Sequence, residues 1–156
     1  MALIVRKYEE KDAEALAKLD KIWKQEKISV GMRPRTAKEV IKHFKKEICF
    51  VAEINNKIIG YACGEKKVYN RKKKLFYLKK GEKYVGLHSL YVLKPYRKQK
   101  VGRKLILALI KEAKKQNLSS IHLIADSKNQ EKLVSFYKKC GFSIVFTRLK
   151  LDLSVL

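Results

Sequence analysis

Between residues 97 and 103 four cationic side chains, Arg97, Lys98, Lys100 and Arg103, gather around a single Gly102. An apolar strand-like run precedes them and a helix-patterned run follows. A strand, a short glycine-containing turn and a helix present unpaired backbone N–H groups and the positive end of a helix dipole to an anion. The natural guest is a phosphate or pyrophosphate. The run "RKQKVGR" is neither a G-x-x-x-x-G-K-[ST] loop nor a G-x-G-x-x-G turn. Taken alone, a lone glycine after a strand is equally a turn or packing device. Three other side chains are of types that carry protons: Tyr137, His88 and Glu53. Each also has a plain structural explanation. Tyr137 falls on an amphipathic stripe with Leu133, Phe136 and Cys140, His88 is a strand histidine, and Glu53 alternates with Ala52 and Ile54.

The elements that must position these residues follow from periodicity. A strand is expected in "ALIVRKY", and a helix from about Asp12 with Leu16, Leu19 and Trp23 on one face. Thr36 and Glu39 form a capping box that starts a second helix. The runs "ICFVAEI" and "KIIGYACGE" read as a hairpin turned at Asn55 and Asn56, residues that tolerate left-handed backbone. After a basic segment come a strand "YVGLHSLYVL", a helix "VGRKLILALIKEAKKQ" and a strand "SIHLIAD". A helix from Asn129, its N-cap, to Cys140 and a final pair of strands in "FSIVFTRLKLDLSV" complete the order. The pattern is α/β.

The chain has 156 residues, 46% of them hydrophobic, the size of one domain with a core of its own. The longest apolar run, "LILALI", is too short for a membrane span. Three cysteines without a C-x-x-C pair, and no histidine at ligand spacing, indicate neither a disulfide framework nor a metal site. A reducing, cytoplasmic setting is the resulting expectation. The net charge of +23 invites a nucleic-acid partner, but only seven of the 38 basic residues are arginine. Dispersed lysines fit a solvated surface. The densest segment, residues 66–83, holds nine Lys or Arg against one Glu, with Tyr69, Phe76 and Tyr77 among them. It reads as a long hairpin with aromatics packed on the body, or else as a basic binding loop.

The run "LYVLKPYRKQKVGRKL" resembles motif A of the GNAT acetyltransferase superfamily, an R/Q-x-x-G-x-G/A turn after a strand. Arg97 and Gly102 occupy its first and last positions, and Lys100 replaces the middle glycine. The run "LVSFYKKCGF" resembles motif B, and the order of elements extends the similarity over nearly the whole chain. Within the superfamily the two runs are most similar to arylalkylamine N-acetyltransferases. His88 matches one family histidine, Gly86 stands at the position of a second, and Ser135 replaces a usual proline.

The resemblance implies a GNAT fold, a mixed central sheet with flanking helices, formed by residues 1–156 as one domain. It implies acetyl transfer from acetyl-CoA to a primary amine by direct attack on the thioester, with no metal. Coenzyme A would lie along Leu90, Tyr91 and Val92, with its phosphates on Arg97, Lys98, Gln99 and Lys100 and on the helix start Val101, Gly102 and Arg103. Asn129 would touch the pantetheine or the phosphates. A backbone N–H near Val92 would polarise the carbonyl, Tyr137 would protonate the departing sulfur, and His88 or Glu53 would take the amine's proton. Cys140 is given no chemistry. Two alternatives stay open: a protein N-terminal or lysine acetyltransferase whose groove is set by residues 29–36 and 69–83, and a basic RNA- or ribosome-binding module with the same fold. Monomer and homodimer are both compatible with the sequence.

Overall fold

The computed structural model describes residues 2–70, 77–152 and 154. Five strands form one mixed sheet in the order β1-β2-β3-β4-β5. They are β1 (Ile4–Lys7), β2 (Ile48–Ile54), β3 (Lys57–Val68), β4 (Lys83–Val92) and β5 (Ser120–His122). The first four are antiparallel to their neighbours, and β5 lies parallel to β4. Helices α1 (Ala13–Glu26) and α2 (Ala37–Phe44) cover one face. Helix α3 (Val101–Lys115) covers the other, joined there by α4 (Gln130–Lys139).

Local chemistry sets these boundaries. Thr36 Oγ1 accepts from the Glu39 N–H at 3.2 Å while the Glu39 carboxylate accepts from the Thr36 N–H at 2.8 Å. Those bonds and Arg33 hold Glu39 down at about 2. Asn55 and Asn56 both take positive φ, at 49° and 60°, the backbone twist a two-residue hairpin needs. On the α3 face, Leu105, Ile106 and Leu109 pack onto Ala52, Ile59, Ala62 and Val85. On the opposite face, Leu16, Leu19, Val40 and Phe44 pack onto Val51, Tyr61, Cys63 and Tyr91.

The hairpin expectation for residues 66–83 is met where it is described: β3 and β4 pair outward to Val68↔Lys83. Tyr69 is buried there and Tyr77 stacks on His122. Arg71 and Phe76 lie outside the described residues.

Three expectations are corrected. Strand β5 stops at His122 rather than Asp126, leaving Ile124 97% exposed. The described residues from Phe142 onward form no strands, and Leu149 is 90% exposed. Alternation supplies a strand with a face but not a partner, and β5 pairs over three residues only, too few to offer a longer edge. Third, Cys49 and Cys63, directly opposed on β2 and β3, are joined by a disulfide with their Cα atoms 4.2 Å apart. Cross-strand register is invisible to cysteine counting, and the disulfide removes that ground for a reducing compartment. Among the described residues no helix is long and apolar enough to cross a membrane.

Candidate active site

Three rungs, Tyr84↔Ser120, Val85↔Ile121 and Gly86↔His122, join β4 to β5. Strand β5 then ends while β4 continues to Val92, so the sheet opens into a fork. Along it the β4 edge from Leu87 to Val92 has no strand partner among the described residues. Such an edge can hydrogen-bond an extended, amide-containing chain. Leu90, Tyr91 and Val92 lie on it.

The turn at the end of β4 is built for close approach to an anion. Lys98 and Lys100 both take left-handed backbone, with φ of 63° and 62°. Lys100 is the N-cap of α3 but gives no side-chain cap, and the first turn of α3 holds no acidic residue. The early N–H groups of α3 and the exposed side chains of Lys98, Lys100 and Arg103 therefore leave a cationic mouth. Val101 is buried in the core, and Gly102 packs beside Phe136. Arg97 turns the other way: it donates to the Val92 carbonyl at 2.8 Å and to Glu26 at 2.5 Å, and lies over the Tyr91 ring. Gln99 donates to the Pro95 carbonyl at 2.9 Å. Arg97 is thereby turned inward, and Gln99, though exposed, spends an amide N–H on bracing the turn.

From the α3 face, α4 brings Tyr137 against the core, edge-on to Phe136 and Phe142. Burial, with a smaller contribution from Cys140, pushes its hydroxyl up to about 12. Asn129 is the N-cap of α4 as expected, but at φ 55° and without a side-chain cap bond, so its exposed amide is not spent on the helix. The loops at this end are clasped. The Val30 N–H donates to Asp126 at 2.6 Å, and Lys128 donates to the Lys27 carbonyl at 3.1 Å.

On the α1/α2 face, a register shift between Cys63 and Gly64 leaves β4 with one extra residue at His88. Such a bulge re-aims side chains. His88 Nε2 lies 2.6 Å from Glu47 Oε2, and its Nδ1 lies 2.9 Å from Ser89 Oγ. Ser89 Oγ also accepts weakly from Arg35, at 3.4 Å. Arg35 in turn grips buried Asp20 at 2.7 Å and donates to the Tyr61 hydroxyl at 2.7 Å. Glu53 is not brought into this group. It is bound by Arg6 at 2.9 Å, which also binds Asp12, and it lies two strands from β4.

Glu47, Ser89, Arg35 and Glu26 escaped the sequence reading. No local pattern marks Glu47, which precedes β2 and meets His88 only through the sheet. A separate cleft of about 300 Å³, lined by Tyr8, Phe44, Glu47 and Cys49, opens beside α2 rather than at the fork. The fork is the better candidate because the exposed cations and free strand edge converge there.

Solved structures share this architecture. Glucosamine-6-phosphate N-acetyltransferase from Arabidopsis thaliana is 16% identical, covers 98% of this chain and 99% of its own, and superposes with a TM-score of 0.70. A predicted acetyltransferase from Clostridium acetobutylicum, solved with acetyl-CoA, is 23% identical over 99% of both chains with a TM-score of 0.70. Ribosomal-protein-alanine N-acetyltransferase from Brucella melitensis is 15% identical over 97% of this chain and 99% of its own, with a TM-score of 0.69. At these identities the likeness is one of fold. No curated protein matches the sequence significantly. The acetyltransferase (GNAT) family matches residues 15–142, which span both the cationic turn and the Tyr137 helix, and the chain belongs to that family.

Proposed function

We propose that this acetyl-CoA-dependent N-acetyltransferase moves the acetyl group onto a primary amine by direct attack on the thioester, at the β4–β5 fork. The observation that carries the proposal is the fork itself: a free strand edge ending in a cationic turn at a helix N-terminus. The edge at Leu90, Tyr91 and Val92 suits the amides of pantetheine. The helix start and the side chains of Lys98, Lys100 and Arg103 suit the phosphates, and Asn129 stands free for the arm or the phosphates.

A split between strands is open to both faces of a sheet, so donor and acceptor can meet in it from opposite sides. An amine with a pKa near 10.4 arrives mostly charged at neutral pH. The His88–Glu47 pair supplies a proton sink, reached through water or the Ser89 hydroxyl, because both ring nitrogens are already engaged. Glu53, neutralised by Arg6, is the weaker base candidate. The deprotonated nitrogen attacks the carbonyl carbon, and a free N–H near Val92 stabilises the oxyanion. As the C–S bond breaks, the electron pair leaves on sulfur, which takes a proton from Tyr137, and the nitrogen, cationic after its attack, gives its surplus proton to the tyrosinate or to water. His88 and the "SFY" segment of α4 keep the arylalkylamine type of acceptor first in line.

Two measurements test the proposal. Acetyl-CoA at about 100 times its Kd should stabilise the fold by about 2.7 kcal/mol, raising Tm by about 5 to 10 °C for a chain of this size. No shift, and no heat of binding by calorimetry, would remove the donor site. Thiol release with a panel of alkyl amines, arylalkylamines and peptides then identifies the acceptor. Turnover with peptides alone would favour a protein acetyltransferase. No turnover, with retention on heparin at high salt, would favour the RNA- or ribosome-binding alternative that the net charge of +23 suggests.

Lys100 offers a sharper probe of the turn. A non-glycine residue at φ 62° carries strain that glycine lacks. Lys100→Ala keeps the strain and loses the charge, so acetyl-CoA binding should weaken by about 1 to 3 kcal/mol, less at high salt. Lys100→Gly should lose less and should also raise Tm. Equal affinity of the alanine variant and wild type at low salt, by calorimetric titration, would place the ammonium in solvent.

A further inference from the structure

Glu47, Cys63 and His88 come from the segment after α2, from β3 and from β4, and their ligand atoms all lie within 4.8 Å of one another. Sequence spacing hides the group, since its members are 16 and 25 residues apart. We propose that, when the Cys49–Cys63 disulfide is reduced, these three side chains bind one divalent transition-metal ion of the zinc type. The Cys49–Cys63 pair thereby acts as a redox gate on the site.

The donor set is a thiolate, an imidazole and a carboxylate, which zinc accepts together with a fourth, open position. The spacing is close to what the ion requires. Cys63 Sγ lies 3.1 Å and His88 Nε2 lies 2.6 Å from Glu47 Oε2. Metal–ligand bonds of about 2.0 to 2.3 Å in tetrahedral geometry need donor atoms roughly 3.3 to 3.7 Å apart, so a small rotation of Glu47 makes room. The two anionic ligands balance the charge of the ion.

Ser89 can hold the imidazole tautomer that a bound ion requires. Ser89 Oγ lies 2.9 Å from His88 Nδ1 and accepts from Arg35. Without the ion, the Glu47 carboxylate 2.6 Å from Nε2 accepts the ring proton's hydrogen bond there. A metal ion at Nε2 displaces that proton, and the neutral ring then carries its N–H on Nδ1, where Ser89 Oγ can accept it, as in histidines that bind metals. The ion has a way in, because His88 is exposed and the cleft beside α2 reaches Glu47. Cys63 itself is fully buried, which shields the metal–sulfur bond from one side.

The gate follows from sulfur chemistry. A disulfide sulfur carries no anionic charge and is a poor ligand beside a thiolate. A dithiol supplies two electrons and two protons, its own sulfurs close to a disulfide, and Cys49 and Cys63 are released as thiols. On binding metal, Cys63 gives its proton to solvent and its sulfur pair to the ion, while Cys49 stays a thiol. Reoxidation by a small-molecule disulfide reverses both steps and expels the ion.

Cobalt(II) chloride is the probe, because a cobalt–thiolate bond has its own near-ultraviolet absorption. Under anaerobic conditions, wild type reduced with dithiothreitol and then freed of it should take up one equivalent with that absorption. Zinc chloride should displace it. Oxidised wild type should give none. Cys49→Ser, which cannot form the disulfide, should bind with or without prior reduction, and Cys63→Ser should show no cobalt–thiolate band. Ser89→Ala, which loses the acceptor that orients His88, should weaken binding by about 10- to 100-fold.

The proposal is overturned if reduced wild type and folded Cys49→Ser both lack the cobalt–thiolate band, or if Cys63→Ser retains it. Should Cys49→Ser not fold, reduced wild type against Cys63→Ser decides the matter. The absorption is read without acetyl-CoA or an amine, so failure here leaves the acetyl-transfer proposal standing.

Discussion

Tyr137→Phe should lower turnover by about 10- to 1,000-fold while leaving acetyl-CoA affinity nearly unchanged. The substitution keeps the ring and its edge-on contacts with Phe136 and Phe142, so packing is preserved and only the hydroxyl is lost. A hydroxyl raised to about 12 by burial stays protonated across the working range, and its competence as a donor is lost only as pH rises toward that value. Activity should therefore show no alkaline fall from Tyr137 below about pH 11. A raised pKa also makes a weaker acid, whereas an ordinary thiol titrates near 8.5. Proton transfer is matched only if the leaving thiolate is desolvated in the same apolar surroundings, which raises its own basicity. Single-turnover kinetics under conditions where chemistry limits the rate provide the measurement. An unchanged rate in the phenylalanine variant would return Tyr137 to a packing role.

Arg35→Ala should cost about 3 to 5 kcal/mol of fold stability, the range for stranding a buried charge. Asp20 is fully buried, and Arg35 meets it with two bonds, at 2.7 and 3.1 Å. Burial opposes the guanidinium charge, yet those bonds to Asp20 raise its pKa above the ordinary value. The Tyr61 hydroxyl also donates to Asp20, and Phe44 lies under the guanidinium at 4.7 Å. Removing Arg35 leaves a carboxylate inside the α1 face with one hydroxyl and the residue 35 N–H as partners. The double variant Asp20→Asn, Arg35→Ala should be less damaged than the sum of its parts. Urea unfolding at constant slope measures the loss, and a loss under 1 kcal/mol for Arg35→Ala would mean the network is slack.

What could be read from the sequence was what depends on neighbours in the chain. The Thr36–Glu39 box, the Asn55–Asn56 turn and the break between β4 and α3 are local chemistry, and all three appear in the structure. Motif resemblance reached the family, and the five-stranded sheet with flanking helices agrees with it. Asp20, Arg35, Tyr61 and Ser89 were invisible as a group because they meet only after α1, the segment before α2, β3 and β4 have packed. The bulge that turns His88 toward Glu47 depends on register between β3 and β4, which no side-chain pattern encodes. The final strands were over-read for the converse reason: "RLKLDL" alternates well, but pairing needs an edge.

The three-rung seam between β4 and β5 bears on the order in which the chain assembles. Strands β2, β3 and β4 follow one another through hairpins, whereas Tyr84 meets Ser120 only after α3 has crossed the sheet. Non-local parallel pairing carries a larger loop-closure cost and weaker rungs. The seam should thus close last and open first, with amides of β5 exchanging hydrogen faster than those of β3. The proposed catalytic fork would then lie on the boundary of the sheet that opens most readily. A donor bound along the β4 edge would suppress that opening from a distance of only a few residues, so amide exchange in β5 should slow when acetyl-CoA is present.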